Sequence, residues 1–144
     1  MFVSHYRHSL DPKGRVILPA RFRSQLEEGA FMARGLDGCL SVYPGDEWER
    51  VSGKMQELMA RGGSQRQAAR SFFAGAAEVT PDRQGRIQIP AHLRDFANLS
   101  PEREVIVAGL YTKVEIWDSD RWTEQEVAGE QAITAAEDIP DFGI

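Results

Sequence analysis

The segment "DPKGRVILPARFR", from Asp11 to Arg23, returns 71 positions later as "DRQGRIQIPAHLR", from Asp82 to Arg94. At this shift Asp11, Gly14, Arg15, Pro19, Ala20 and Arg23 fall on Asp82, Gly85, Arg86, Pro90, Ala91 and Arg94, and Val16, Leu18 and Phe22 fall on Ile87, Ile89 and Leu93. A second stretch repeats at a shift of 74, matching Gly35 with Gly109, Leu36 with Leu110, Asp46 with Asp120 and Trp48 with Trp122. The three extra residues fall near the turn-rich "NLSPERE". Such a chain folds as two copies of one unit, and two copies are too few for a solenoid, so they are expected to pack on each other.

The punctuation outlines each unit. "DPKG" carries Asp, Pro and Gly at the first, second and fourth places of a type I turn, and Gly14 is free to take a positive φ. A hairpin is expected there. Beyond it the pattern alternates, so Val16 and Leu18 share one face and Arg15 and Ile17 the other; in the second copy Arg86 and Gln88 lie opposite Ile87 and Ile89. Pro19 and Pro90 suit the first position of short helices. A second hairpin follows in each copy, "AFMAR" with "CLSVY" and "EVIVAG" with "KVEIW". From Asp46 onward Trp48, Val51, Met55, Leu58 and Met59 recur at helical spacing, and after "RGGS" another helix carries Arg66, Arg70, Phe72 and Phe73. A shorter helix is expected from Asp118 to near Gly129, with about the last 15 residues mobile. The expected organisation is a first repeat over 1–52, a helical link over 53–75, a second repeat over 76–124 and an acidic tail over 125–144.

The 144 residues, 42% hydrophobic, suffice for a buried core. Cys39 is the single cysteine, so no internal disulfide is possible. "MFVSHYRHSL" lacks the apolar stretch of a signal peptide, and "VIVAGLY" is about a third of the ~20 residues a membrane helix needs, so a cytoplasmic location with no membrane partner is expected. The net charge of −5 is unevenly spread. Residues 1–25 hold Arg7, Lys13, Arg15, Arg21 and Arg23 against Asp11 alone, whereas residues 115–144 hold nine acids against Arg121. A basic working face with an acidic tail fits that asymmetry, and so does an ordinary solvated tail. There is no G-x-S-x-G elbow and no phosphate-binding G-x-x-x-x-G-K, and Cys39 has no evident histidine partner; no enzymatic activity, cofactor or small-molecule substrate is expected. His5 and His8 lack a third ligand, so no metal is expected. Trp48, Trp122 and Tyr43 read as packing anchors, and Met55 and Met59 as helix core.

The doubled "DxxGR" turn, the "PA" helix starts, the "YPGDEW" and "IWDSDRW" pair and the link "RQAARSFFAGA" resemble the MraZ family of bacterial transcription regulators over nearly the whole chain. The resemblance implies an α+β, mainly β fold: the swapped-hairpin barrel of SpoVT/AbrB-like proteins, here built from two tandem pseudo-symmetric repeats with flanking helices. It implies a homo-oligomeric, ring-forming, nucleoid-associated protein that binds double-stranded DNA at short direct repeats. Those repeats lie in the promoter of its own operon, in the division and cell-wall gene cluster, and binding usually represses. The family's DNA-contacting arginine maps onto Arg15 and, in the second copy, onto Arg86. Around them Lys13, Arg21 and Arg23, and more sparsely Arg83, Arg94, Gln84 and His92, are candidate phosphate contacts, with Asp11, Gly14, Asp82 and Gly85 supporting the turns. The first copy is expected to bind more strongly. At Pro12 the chain departs from the family's more usual small polar residue, which stiffens the turn and removes a backbone donor. Asp11 and Arg15, like Asp82 and Arg86, also have the spacing of ion pairs that merely clamp a turn. The rival from another class is an antitoxin-like or scaffold protein whose acidic tail embraces a basic partner while the barrel binds DNA weakly.

Overall fold

The computed structural model describes residues 1–136. The tail expected to be mobile falls outside the described residues from 137 onward. The first repeat runs through β1 (His5–Ser9), β2 (Arg15–Ile17), α1 (Ala20–Leu26), β3 (Ala30–Arg34) and β4 (Leu40–Pro44). Two link helices follow, α2 (Gly45–Met59) and α3 (Gly63–Gly75). The second repeat is β5 (Ala77–Val79), β6 (Arg86–Gln88), α4 (Ala91–Ala97), β7 (Glu104–Gly109), β8 (Val114–Asp118) and α5 (Ser119–Ala135).

Six strands form one sheet in the order β1-β7-β8-β4-β3-β5, and β2 pairs with β6 in a separate two-stranded ribbon. The order reads the same from either end when each strand is exchanged for its counterpart, so the two repeats are related by a pseudo-twofold axis between β8 and β4. The second hairpins form as the sequence predicts: β3 pairs with β4 and β7 with β8. The first hairpins do not. The "DPKG" turn is closed by Asp11 N–H to Arg15 C=O at 2.9 Å, but β1 then pairs with β7 and β2 with β6. Its counterpart turn behaves alike, closing at Asp82 and Arg86 while β5 leaves to join β3. Each repeat thus gives its outer strand to the other repeat's hairpin. The fold is α+β and mainly β, with exchanged hairpins and flanking helices, but among the described residues the strands do not close into the expected barrel. β1 and β5 remain the edges of the large sheet, because the three-residue strands that follow their turns pair only with each other.

The core is shared. Val16, Leu18, Phe22 and Leu26 from one repeat meet Ile87, Ile89, Leu93 and Ala97 from the other in a single cluster, all at most 1% exposed. Burial of each larger side chain contributes about 1.5–3 kcal/mol, and both copies supply side chains to the same cluster. Pro19 and Pro90 precede α1 and α4 as their N-terminal caps rather than occupying the first helical position. A separate aromatic cluster fixes the link: Trp48 of α2 stacks between Phe31 of β3, 4.6 Å away, and Phe72 of α3, 5.3 Å away. Met55 packs there, whereas Met59, expected in the helix core, lies at the exposed end of α2. Helix α5 continues past Gly129 to Ala135. No helix among the described residues is long and apolar enough to cross a membrane.

Candidate nucleic-acid interface

The two turns are built alike. Asp11 accepts the backbone N–H groups of Lys13 and Arg15 on Oδ1, both at 2.9 Å, and Arg15 Nε on Oδ2 at 2.6 Å. Asp82 accepts Gln84 N, Arg86 N and Arg86 Nε in the same way at 2.9, 2.9 and 2.8 Å. The backbone N–H of Arg15 or Arg86, aided by the arginine side chain and the Lys13 or Gln84 N–H, outweighs desolvation and holds both carboxyls below the usual carboxylate range. Gly14 and Gly85 follow with φ of 79° and 80°, conformations that side chains rarely adopt. The clamp is therefore real in both copies. It engages each arginine through Nε, and among the described residues no hydrogen bond uses the terminal guanidinium nitrogens of Arg15 or Arg86. An arginine held from one side and open at its fork is oriented for two-pronged contact with a guanine edge or a phosphate.

Beyond the turns, β2 and β6 run antiparallel with Arg15 opposite Gln88, Val16 opposite Ile87 and Ile17 opposite Arg86. Val16 and Ile87 point into the core. The other face therefore presents Arg15, Ile17, Arg86 and Gln88 together, with the arginine side chains 27% exposed and Ile17 43%. Two strands about 5 Å apart fit within the ~12 Å major groove of B-DNA.

Each turn is tied to the opposite repeat. Leu18 N–H donates to Gly85 C=O at 2.8 Å and Ile89 N–H to Gly14 C=O at 3.1 Å. The Arg23 guanidinium donates to Leu18 C=O at 2.9 Å and lies against Gly85; a Cβ at Gly85 would fall within 2.1 Å of Arg23 Nε. Arg94 mirrors it, donating to Ile89 C=O and lying against Gly14, where a Cβ would come within 2.1 Å of its Nη1. The sequence nominated both arginines as phosphate contacts; the structure sets them beneath the turns, each bracing the other copy's glycine. Lys13, Arg21 and Arg83 are exposed, as is Gln84, and all but Arg21 lie on the turns themselves. His92 is engaged with Gly75 C=O at 2.8 Å, away from the turns. Burial first, then Arg23, lowers the His8 pKa. Trp122 packs on Trp117 and His5, an anchor as expected.

Two features of the interface escaped the sequence reading. The bracing roles of Arg23 and Arg94 carried a faint signal, their identity at equivalent places of the repeat. Ile17 and Gln88 occupy equivalent places too, directly across the ribbon from Arg86 and Arg15, yet differ in chemistry.

The family model described as "MraZ protein, putative antitoxin-like" matches the chain twice, over residues 1–71 and 72–139. The chain is 43% identical over 145 residues to "Transcriptional regulator MraZ" of Heliobacterium modesticaldum, covering 100% of both chains. It is 41% identical over 145 residues to the protein of that name from Syntrophomonas wolfei, again covering 100% of both, and 42% identical over 143 residues to that of Halothermothrix orenii, covering 96% of this chain and 99% of the relative. These relatives are named as regulators, a role without catalysis. Two tandem matches to one model, relatives above 40% identity from end to end, and a doubled turn-and-ribbon architecture agree that the chain belongs to the MraZ family.

Proposed function

We propose that this chain, a DNA-binding transcriptional regulator by its family, acts by laying the β2/β6 ribbon in the major groove and reading short direct repeats upstream of its own operon, in the division and cell-wall gene cluster. The observation that carries this reading is the pair of clamped arginines, Arg15 and Arg86, on one outward ribbon face, with forks that no hydrogen bond engages among the described residues. In this reading the exposed Lys13, Arg21 and Arg83 meet flanking phosphates, while Arg23 and Arg94 act from beneath, holding the turns. Occupancy of the promoter blocks transcription, making the protein a cytoplasmic, nucleoid-associated repressor.

One chain neutralises few phosphates and carries a net charge of −5, so its lone affinity is weak. A homo-oligomeric ring supplies the missing affinity by tethering identical ribbons, which raises effective concentration without new contacts. Exposed Val127 and Ile133 on α5 and the exposed end of α2 offer surface for subunit contacts. Sites on one face of DNA recur about every 10–10.5 base pairs.

Gel-shift titration of the purified protein on DNA from upstream of its gene tests the reading. Arg15→Ala is expected to weaken specific binding by about 1–3 kcal/mol, and Arg86→Ala by less, because fewer cations surround it. Inserting five base pairs between repeats is expected to abolish the gain from the second repeat. Normal binding by Arg15→Ala together with easier unfolding would reduce the arginine to a turn clamp and sink the proposal.

A further inference from the structure

The ribbon is symmetric at its arginines and asymmetric at the residues across from them. A pseudo-twofold axis through the Val16–Ile87 pair exchanges Arg15 with Arg86, and it exchanges Ile17 with Gln88. Across the ribbon Arg15 is therefore partnered by Gln88, and Arg86 by Ile17. The two neighbours offer different chemistry. Gln88 Nε2 donates to Lys13 C=O at 2.7 Å, which ties the first turn to the ribbon and leaves the amide oxygen as an acceptor. Ile17 has only methyl and methylene groups, and it is 43% exposed although Val16 and Leu18 on either side are fully buried. An aliphatic side chain left this exposed beside Arg86 on a basic, strand-built face adds an apolar contact point to that face.

Resting on the DNA reading above, we infer that Ile17 and Gln88 are specificity residues that make the ribbon read a non-self-complementary base sequence: Ile17 packs on a thymine methyl beside the base held by Arg86, and Gln88 accepts from cytosine N4 or adenine N6 beside the base held by Arg15. In the major groove the methyl group marks thymine and the exocyclic amines mark cytosine and adenine, so the two neighbours select different bases. A reader with true twofold symmetry selects a self-complementary core, which has no direction. Unequal neighbours across from the two arginines give each site a direction, and sites repeated in one direction are direct repeats. Asymmetry at the turns, Pro12 and Lys13 against Arg83 and Gln84, lies at the ribbon's ends, where phosphates are nearer than base edges.

In vitro selection from a random duplex library, carried out with the full chain and with Ile17→Gln and Gln88→Ile, tests the assignment. The wild type is expected to select a core that differs from its own reverse complement. Ile17→Gln, which makes the two halves alike, is expected to select a self-complementary core, and Gln88→Ile a different self-complementary core. A probe needing no variant accompanies this: each thymine of the selected site is replaced singly by deoxyuridine, which lacks the methyl. One position is expected to lose about fourfold in wild-type affinity, the effect of one buried methyl-sized group, and Ile17→Gln to be indifferent there. An asymmetric core retained by Ile17→Gln would move the asymmetry to the turn residues and overturn the inference, as would a site at which no deoxyuridine matters. Absence of any wild-type binding would instead remove the DNA reading itself.

Discussion

Replacing Gly14 with Ala tests the cross-repeat brace on which the position of Arg15 depends. The backbone there sits at φ 79°, which for Ala costs about 1–2 kcal/mol. The new Cβ would fall 2.1 Å from Arg94 Nη1, so the guanidinium must swing away and give up its hydrogen bond to Ile89 C=O. Because the obstacle is the end of a flexible side chain, the steric part is relieved by that movement. What remains is the loss of a charge-assisted hydrogen bond, about 1.5–3 kcal/mol. The total is about 2.5–5 kcal/mol, and at about 3 °C per kcal/mol for a chain of this size Tm falls by about 8–15 °C. The diagnostic quantity is the coupling. In an Arg94→Ala background the brace is already gone, so Gly14→Ala should cost only its backbone strain. Urea unfolding of the two single variants and the double variant should give an interaction energy of about 1.5 kcal/mol or more. Strict additivity would show that Arg94 does not brace Gly14 in solution.

Acidification should weaken the fold in two steps. The His8 pKa lies below 6.5, chiefly through burial and then through Arg23, so stability is complete above 6.5 and falls as the unfolded chain takes up the proton; His8→Gln should remove this step from unfolding curves measured across pH. Asp11 and Asp82 lie below 3.8 when folded, so their contribution is complete above that value and lost as pH falls through the folded pKa; Asp11→Asn should flatten the acid limb. Cys39 is fully buried, donates to Leu36 C=O at 3.2 Å, and has its pKa pushed up by burial and by Glu115, so at pH 8 it should resist thiol-labelling reagents in the folded protein and react once urea unfolds it. Asp118, 1% exposed, accepts Arg103 Nε at 2.6 Å and caps α5 through Arg121 N–H; Arg103→Ala strands a buried carboxylate and should lower the unfolding midpoint more than Asp118→Asn, which leaves an arginine with access to water.

The local structure was legible because it is written in residues with strong backbone preferences. The turns at Asp11–Gly14 and Asp82–Gly85, the short helices after Pro19 and Pro90, and the two second hairpins all lie where Gly, Pro and alternation put them. The exchange of strands was not legible from those patterns. Val16 and Leu18 face inward whether β2 pairs with β1 or with β6, so alternation carries no information about the partner; the choice is made by a core that draws equally on both copies. Gly129 suggested a helix end, and at about 1 kcal/mol against Ala it is a weak one, outweighed in α5 by the alanine, glutamate and glutamine around it. The bracing contacts of Arg23 and Arg94 were not legible, because nothing in a sequence reveals that a helical arginine reaches under a turn 62 or 80 positions away. The placement of Arg15 and Arg86 just past the two turns, on the outward face of the ribbon, was legible because motif, turn geometry and alternation all pointed at the same two positions.

The register of the ribbon limits what one chain can recognise. Arg15 and Arg86 sit two residues apart along the ribbon and one strand apart across it, a separation of about 8 Å between their backbones. At 3.4 Å per base step that is two to three steps, so a ribbon laid in the groove as proposed, with Gln88 across from Arg15 and Ile17 across from Arg86, reads about four to five base pairs. A fixed word of five base pairs recurs by chance about once per 1,000 positions, hence thousands of times among the 10⁶ or more competing sites of a genome. A single chain with this interface, however well its arginines are oriented, is therefore unable to mark one promoter. Three such words in one direction and at one spacing recur about once in 10⁹ positions, which is sufficient. On the proposed reading, the fused repeat fixes the word by holding both turns on one core, its halves give the word a direction by differing at Ile17 and Gln88, and the proposed oligomer has only to count the words.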